Sequence, residues 1–257
     1  MSDTKNINYE DTDRLARYVE ASWGDHFSSP PKQRKTGLSF DVRTVGFYKE
    51  MAKLIGKTVP KAKRIADIGA ATGRMTYELQ GIYSNASFLV CDLSRRFVDF
   101  GAAIMTGEAI PKFVPIVATN AQKFTYVETP PKLFDVSKNM SKTAKIEFVA
   151  CKAEQIAYPD EYFDLTLCLN VVCRHPHPLE LVKHCAKLTA KDGYVCLASP
   201  FDWEDSPAPE GERFYTIKDC LSSNLKPVKL DSLEYVFRTS ENRLVQYRTE
   251  IVIARKL

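Results

Sequence analysis

Two short runs carry residue types suited to a charged, ribose-bearing ligand. The first is Asp67-Ile68-Gly69-Ala70-Ala71-Thr72-Gly73, and the second is Phe88-Leu89-Val90-Cys91-Asp92. Glycines at a strand-to-helix turn leave no Cβ, so backbone amides can approach a ligand closely. Asp67, at the end of the first run's apolar stretch, would face a ligand ammonium group, directly or through water. Asp92 follows Gly73 by about twenty residues, the spacing at which a carboxylate accepts two hydrogen bonds from ribose hydroxyls. Small residues after a strand also arise where helix and strand merely pack tightly. A nicotinamide dinucleotide would satisfy the same chemistry, so the first run by itself leaves the cofactor open.

Such a site needs strands that end together at one edge of a sheet. Apolar runs at 64–68, 87–91, 146–150, 165–170 and 193–199 predict five strands. Helical or mixed segments fall between them, at 75–80, 94–106, near Gln155 and at 179–189. Strands alternating with crossovers imply a mainly parallel sheet covered on both faces. Two β-prone runs close the chain, 233–238 and 244–254, joined by Thr239-Ser240-Glu241-Asn242-Arg243 as a hairpin signal. Before the first strand, Leu15, Ala16, Tyr18, Val19 and Trp23 recur at near-helical spacing within 9–23. Val45, Tyr48, Met51, Ala52 and Ile55 do so within 42–56, with Gly56 as the expected stop.

The expected fold class is therefore α/β: a Rossmann-like, seven-stranded, mostly parallel sheet with a C-terminal antiparallel hairpin, helices on both faces and an N-terminal helical cap. We expect a single domain over 1–257, with the cap at 1–60 and the cofactor-binding core at 61–200. A substrate-side loop and the hairpin occupy 201–257. The stretch 111–145 is long for a connection and reads as an irregular insertion, part of a substrate lid.

Composition narrows the function classes. With 257 residues and 44% hydrophobic content the chain can bury one substantial core. Its 36 basic and 32 acidic side chains are spread along the sequence, which gives no reason to expect nucleic acid. The run Lys32-Gln33-Arg34-Lys35 reads as a solvated loop before it reads as a phosphate contact. Seven cysteines without a C-x-x-C pair, several inside apolar runs, suit a reducing compartment, the cytoplasm, and argue against a zinc site. No apolar run reaches the ~18 residues of a membrane span, and no signal peptide is expected. His175-Pro176-His177 lies near Cys173 and His184 but has no acidic cluster beside it, so no metal is expected.

Three further stretches decide between cofactors. Phe148-Val149-Ala150-Cys151-Lys152-Ala153-Glu154, Tyr158-Pro159-Asp160-Glu161-Tyr162-Phe163-Asp164-Leu165 and Leu188-Thr189-Ala190-Lys191-Asp192-Gly193-Tyr194 follow one another in the core. Each resembles a stretch of the class I methyltransferases that use S-adenosyl-L-methionine: the adenine-contacting turn, the acid opening the fourth strand, and the turn before the fifth. The resemblance implies cofactor roles for Asp67, Gly69, Ala71, Gly73, Arg74, Asp92, Leu93, Ala153 and Glu154, with Asn170 bordering the cofactor at the end of the fourth strand. Ala71 stands where the commonest pattern has glycine, and Lys152 where an acid often receives the adenine amino group.

A narrower likeness rests on Tyr9-Glu10-Asp11-Thr12-Asp13-Arg14-Leu15 with Tyr18, Gly73-Arg74, Asp92-Leu93-Ser94-Arg95-Arg96-Phe97, Asn170-Val171-Val172-Cys173-Arg174 and Ala198-Ser199-Pro200-Phe201-Asp202-Trp203-Glu204. These look like the mercaptohistidine N-methyltransferases of ovothiol biosynthesis, which implies a small-molecule acceptor with an imidazole nitrogen. Such a nitrogen is already nucleophilic, so the enzyme has mainly to align it and exclude water. An acceptor for the opposite ring proton fixes the tautomer, a role for Asp202 or Glu204. Arg174 would grip an amino-acid carboxylate, and Tyr9 would close the pocket. Each has a plainer alternative: Asp202 caps a turn, Arg174 pairs with an acid, Trp203 packs, and Tyr9 packs a helix.

Overall fold

The computed structural model describes residues 12–26, 46–107, 114–117, 124–127, 136–240 and 243–257. Nine strands are described: β1 Arg64–Ile68, β2 Ser87–Asp92, β3 Val114–Val117, β4 Phe124–Val127, β5 Lys145–Ala150, β6 Phe163–Leu169, β7 Thr189–Ser199, β8 Leu225–Ser240 and β9 Arg243–Lys256. Seven of them form one sheet in the order β5-β2-β1-β6-β7-β9-β8. The first five run parallel, and β9 pairs antiparallel with both β7 and β8. This is the expected Rossmann-like sheet with its closing hairpin.

The helices are α1 Thr12–Trp23, α2 Phe47–Thr58, α3 Arg74–Gln80, α4 Arg95–Thr106 and α5 Pro178–Leu188. β1 is buried along nearly its whole length, as an interior parallel strand covered on both faces must be. On one face Met51 and Ile55 of α2 and Met75 and Leu79 of α3 pack on Ile65, Leu165, Leu167 and Ile253. On the other, Leu181, Val182 and Cys185 of α5 pack on Ala66, Ile68, Leu197 and Val252. Phe100, Ile104 and Met105 of α4 join Val19 and Trp23 of α1 in a third cluster. Local signals start two of these helices: the Ser94 hydroxyl accepts from the Phe97 amide at 3.3 Å, and Pro178 occupies the first turn of α5.

Two expectations are corrected here, at Gly56 and in the stretch 111–145. Gly56 does not stop α2, which continues to Thr58. A Cβ at Gly56 would stand 3.1 Å from Ile82 Cδ1, so the glycine serves close packing of the helix. The stretch 111–145 is not wholly irregular, because β3 and β4 pair there as an antiparallel ribbon apart from the main sheet. Its polar end is tied down as well: Ser141 Oγ and Thr143 Oγ1 both donate to the Ser84 carbonyl, and Ser141 N donates to Gln80 Oε1 at 2.6 Å.

The hairpin arms are also longer than their apolar runs. Pro227 belongs to β8, which is tolerated because β8 is the sheet's edge and a register shift follows the proline. β9 pairs with β7 only from Glu250 onward, so residues 243–249 and their β8 partners overhang the carboxyl edge of the sheet by roughly 20 Å. The centre of the hairpin turn lies outside the described residues. Among the described residues, no helix is long and apolar enough to cross a membrane.

Candidate functional site

In an open α/β sheet the ligand crevice lies beyond the carboxyl ends of the strands, where the strand order reverses. Here that point is between β1 and β6, with β2 on the other side of β1. The turn leaving β1 runs through left-handed backbone at Gly69 (φ +68°), Ala71 (φ +49°) and Gly73 (φ +74°). Gly69 is required twice over: its φ disfavours a side chain, and a Cβ there would meet Val171 Cγ2 at 2.2 Å. Ala71 bears a cost of roughly 1 kcal/mol in the same backbone region, so this departure from glycine involves more than one added methyl group.

Asp92, at the end of β2, holds the turn in place. Its Oδ2 accepts from the Ala71 amide at 2.8 Å and its Oδ1 from the Ser94 amide at 2.9 Å. The next residue, Leu93, is a large apolar side chain left 58% exposed. Asp67 is buried at the end of β1 and accepts from Thr76 Oγ1 at 2.9 Å. Burial pushes its carboxyl up to about 7, with Asp92 adding to the shift and the bonds from Thr76 opposing it. On the far side of β2, the turn after β5 carries Ala153 and Glu154, and Glu154 pairs with His175 Nε2 at 2.6 Å.

The predicted Arg74 is placed differently from a residue that lines a cleft. Its guanidinium is buried and forked onto Asp25, with Nη1 to Oδ1 at 2.6 Å and Nη2 to Oδ2 at 2.8 Å. It also reaches Glu78 and the Ser22 carbonyl. Burial opposes the Asp25 charge, but Arg74 and Lys49 outweigh it and hold the carboxyl below its ordinary range. Trp23 Nε1 donates to Thr72 Oγ1 at 2.9 Å, so α1 and the turn after it are fastened to the glycine turn. The other side of α1 is fastened to the hairpin overhang, where Arg238 pairs with the buried Glu20 and Arg17 Nη1 donates to the Thr239 carbonyl at 2.6 Å.

Under this bridge the chain gathers tyrosines. Tyr235 stacks on Tyr247 at 5.1 Å, Tyr18 lies 5.1 Å from Phe237 and 4.7 Å from Phe97, and Phe47 lies 5.3 Å from both Tyr48 and Tyr235. Burial, with Cys173, Tyr247, Tyr18 and Tyr48 nearby, raises the Tyr235 hydroxyl well above its usual range. Arg174 and Asp202 meet here: Nη2 donates to Oδ2 at 2.5 Å, and Tyr247 donates to the same oxygen at 3.1 Å. Burial opposes the Arg174 charge, but Cys173 and Asp202 prevail and its pKa rises. The other Asp202 oxygen, Oδ1, has only a 3.4 Å contact with the Glu204 amide among the described residues.

The remaining predicted residues are placed as follows. Asn170 adopts left-handed backbone (φ +60°) after β6, and its Oδ1 accepts from Thr249 Oγ1 at 2.7 Å. Glu204 is exposed. Trp203 is buried and donates to the Phe214 carbonyl at 3.0 Å, a packing role. Tyr9 and the run 32–35 lie outside the described residues. His177 faces Glu212 at 3.3 Å. Among the described residues, no group of three or more His, Cys, Asp and Glu is placed to hold a metal ion. A cavity of about 480 Å³ bounded by Asp160, Lys187, Asn224 and Lys256 sits at the amino ends of β6 and β7, the opposite edge of the sheet.

Trp23, Asp25, Tyr235 and Tyr247 were not legible from the sequence as parts of this site, nor was Thr72 as the partner of Trp23. Nothing local marks these contacts, since Trp23 and Asp25 come from one end of the chain and Tyr235 and Tyr247 from the other.

Residues 104–197 match the family model described as a methyltransferase domain. The matched span includes Ala153, Glu154, Asn170 and Arg174 and begins after the glycine turn. Solved structures agree on the fold. The N-methyltransferase NodS from Bradyrhizobium japonicum WM9, in complex with S-adenosyl-L-homocysteine, is 13% identical over 94% of this chain and 98% of its own, with a TM-score of 0.51. SpnF, described as a 4+2 cyclase, is 11% identical over 96% of this chain and 94% of its own, with a TM-score of 0.57. The YcgJ protein from Bacillus subtilis is 12% identical over 80% of this chain and 98% of its own, with a TM-score of 0.51. At such identities the likeness is one of fold. No curated protein matches the sequence. The domain match supports methyl transfer as the chemistry.

Proposed function

We propose that this methyltransferase acts on a small molecule through a nitrogen acceptor, best an imidazole nitrogen of a thiol-histidine or related histidine derivative. When bound, S-adenosylmethionine supplies an electrophilic methyl group on a sulfonium. Gly69, Ala71, Gly73, Asp67, Asp92, Leu93, Ala153, Glu154 and Asn170 are the residues we assign to holding it. Two observations support the fit. A buried carboxyl with its pKa pushed up to about 7 gains from a nearby ligand ammonium, and the exposed Leu93 offers an apolar face beside Asp92, where a base would lie flat. Arg74 acts through structure, holding the turn's first helix to Asp25.

The acceptor assignment rests on one arrangement: Asp202 is anchored through Oδ2 by Arg174 and Tyr247, which leaves Oδ1 to accept a proton from a substrate. A ring N–H bonded to Oδ1 fixes the tautomer whose opposite nitrogen is nucleophilic. Arg174 keeps further donors for a substrate carboxylate. The surrounding tyrosines exclude water and pack on a flat ring. Glu204 is the weaker choice because it is exposed, and Tyr9 keeps its proposed closing role from sequence alone. Free thiols at all seven cysteines, six of them buried, support a reducing compartment such as the cytoplasm.

Titration calorimetry with S-adenosylhomocysteine tests the cofactor assignment, and folded protein that releases or absorbs no binding heat would refute it. Methyl transfer assayed against thiol-histidine, histidine and unrelated amines tests the acceptor. Turnover confined to oxygen, sulfur or protein acceptors would replace the imidazole assignment. Asp67→Ala and Asp92→Ala variants that fold and leave the cellular role unchanged would favour a non-catalytic binding protein.

A further inference from the structure

Cys91 and Cys151 touch, with Sγ to Sγ at 3.3 Å. Cys91 is buried in β2 one residue before Asp92, and Cys151 is half-buried one residue past β5. The main chains carrying them are already fixed side by side: Asp92 pairs with Ala150 in register, and the Cys151 amide donates to the Asp92 carbonyl at 3.0 Å. Burial, with Cys151 beside it, pushes the Cys91 thiol well above its usual range, so the half-exposed Cys151 is the sulfur an oxidant meets first.

We propose that Cys91 and Cys151 form a reversible disulfide with a peroxide as oxidant, a modification site built into the wall of the cofactor cleft. The Cys151 thiolate attacks the peroxide, the O–O bond breaks, and a sulfenic acid and hydroxide result. The Cys91 sulfur then attacks the Cys151 sulfur. The S–O bond breaks as the S–S bond forms, and the Cys91 proton leaves with the departing hydroxide as water. Two thiols are oxidised and one peroxide is reduced to two waters; a dithiol reductant reverses the change.

An S–S bond of about 2.0 Å requires the sulfurs to close by more than 1 Å. That movement pulls on Asp92-Leu93-Ser94 from one side and on Lys152-Ala153-Glu154 from the other. These are the two turns assigned above to ribose and adenine, so the effect on binding, though not the disulfide itself, rests on that assignment. Oxidation therefore weakens the cofactor site.

The test treats the full chain with hydrogen peroxide and then with dithiothreitol. Non-reducing peptide mass spectrometry reads the bond, and S-adenosylhomocysteine titration reads the reduced, oxidised and re-reduced forms. The expected result is a linked Cys91–Cys151 peptide, affinity weaker by about tenfold, and recovery on reduction. Cys151→Ser and Cys91→Ala variants should keep their affinity after peroxide, and either one serves if the other folds poorly. Absence of the linked peptide from peroxide-treated folded protein overturns the site. A linked peptide with unchanged affinity overturns the coupling. Reduced protein that fails to bind S-adenosylhomocysteine counts against the cofactor assignment instead, while mass spectrometry still decides the disulfide.

Discussion

Trp23 and Thr72, 49 positions apart in the chain, meet through a buried hydrogen bond from the indole Nε1 to the threonine hydroxyl. Together with the Arg74 fork on Asp25, it makes the N-terminal helix part of the glycine turn. The Glu20–Arg238 pair joins the same helix to the hairpin overhang. The glycine turn, the N-terminal helix and the hairpin overhang are thereby one connected body.

Breaking that body should register first in stability. Arg74→Ala leaves Asp25 with Lys49 alone and the partly buried Glu78 without its Arg74 partner, and is expected to cost about 3 kcal/mol in urea unfolding. Trp23→Phe loses the indole donor and part of a fully buried ring, for about 2 kcal/mol. Arg74→Lys should resemble alanine more than the parent, since one ammonium cannot fork onto Asp25 while reaching Glu78.

At Gly69 an alanine should cost about 2 kcal/mol, from the overlap with Val171 and the strained backbone together. Pairing it with Val171→Ala is expected to restore part of the loss, because the overlap goes and the left-handed φ stays. Full recovery in the double variant would show that the backbone conformation carries no cost.

Asp67 makes stability depend on pH. Its folded carboxyl, pushed up to about 7 against 3.8 when unperturbed, keeps its proton where the unfolded chain has released it. The contribution is fully present below pH 3.8 and is lost as pH rises through 7, so the ligand-free protein should unfold more easily at pH 7.5 than at pH 5. Asp67→Asn should flatten that part of the slope. A ligand ammonium favours the ionised form, so S-adenosylhomocysteine binding should release a proton and tighten across the same window. Calorimetry in buffers of different ionisation enthalpy measures that proton.

For the acceptor side, Asp202→Asn should lower kcat/KM for an imidazole substrate by about tenfold and leave S-adenosylhomocysteine affinity unchanged. Tyr247→Phe should act in the same direction and less strongly, since Arg174 still anchors Asp202. Equal losses in cofactor affinity would place Asp202 in the cofactor site instead.

Much of this was legible in the residues. The strand ending at Asp67, the glycine turn, the acid at Asp92 and the closing hairpin are local patterns, and hydrophobic period and turn chemistry act over a few neighbours. Their order along the chain was enough for the sheet, because parallel strands admit few connections. Other readings needed the third dimension. Gly56 looks like a helix stop until Ile82 is seen against it, and only the structure shows that Asp25 takes the Arg74 guanidinium.

The sequence by itself determined the order of the seven main-sheet strands, the fold class and the two acids at the strand ends. Only the tertiary structure decided that Arg174 meets Asp202 and Tyr247, that Cys91 touches Cys151, and that α1 spans from Thr72 to the hairpin. The reason is physical: a backbone pattern is set by near neighbours, whereas the partner of a long side chain is set by how distant elements cross and pack.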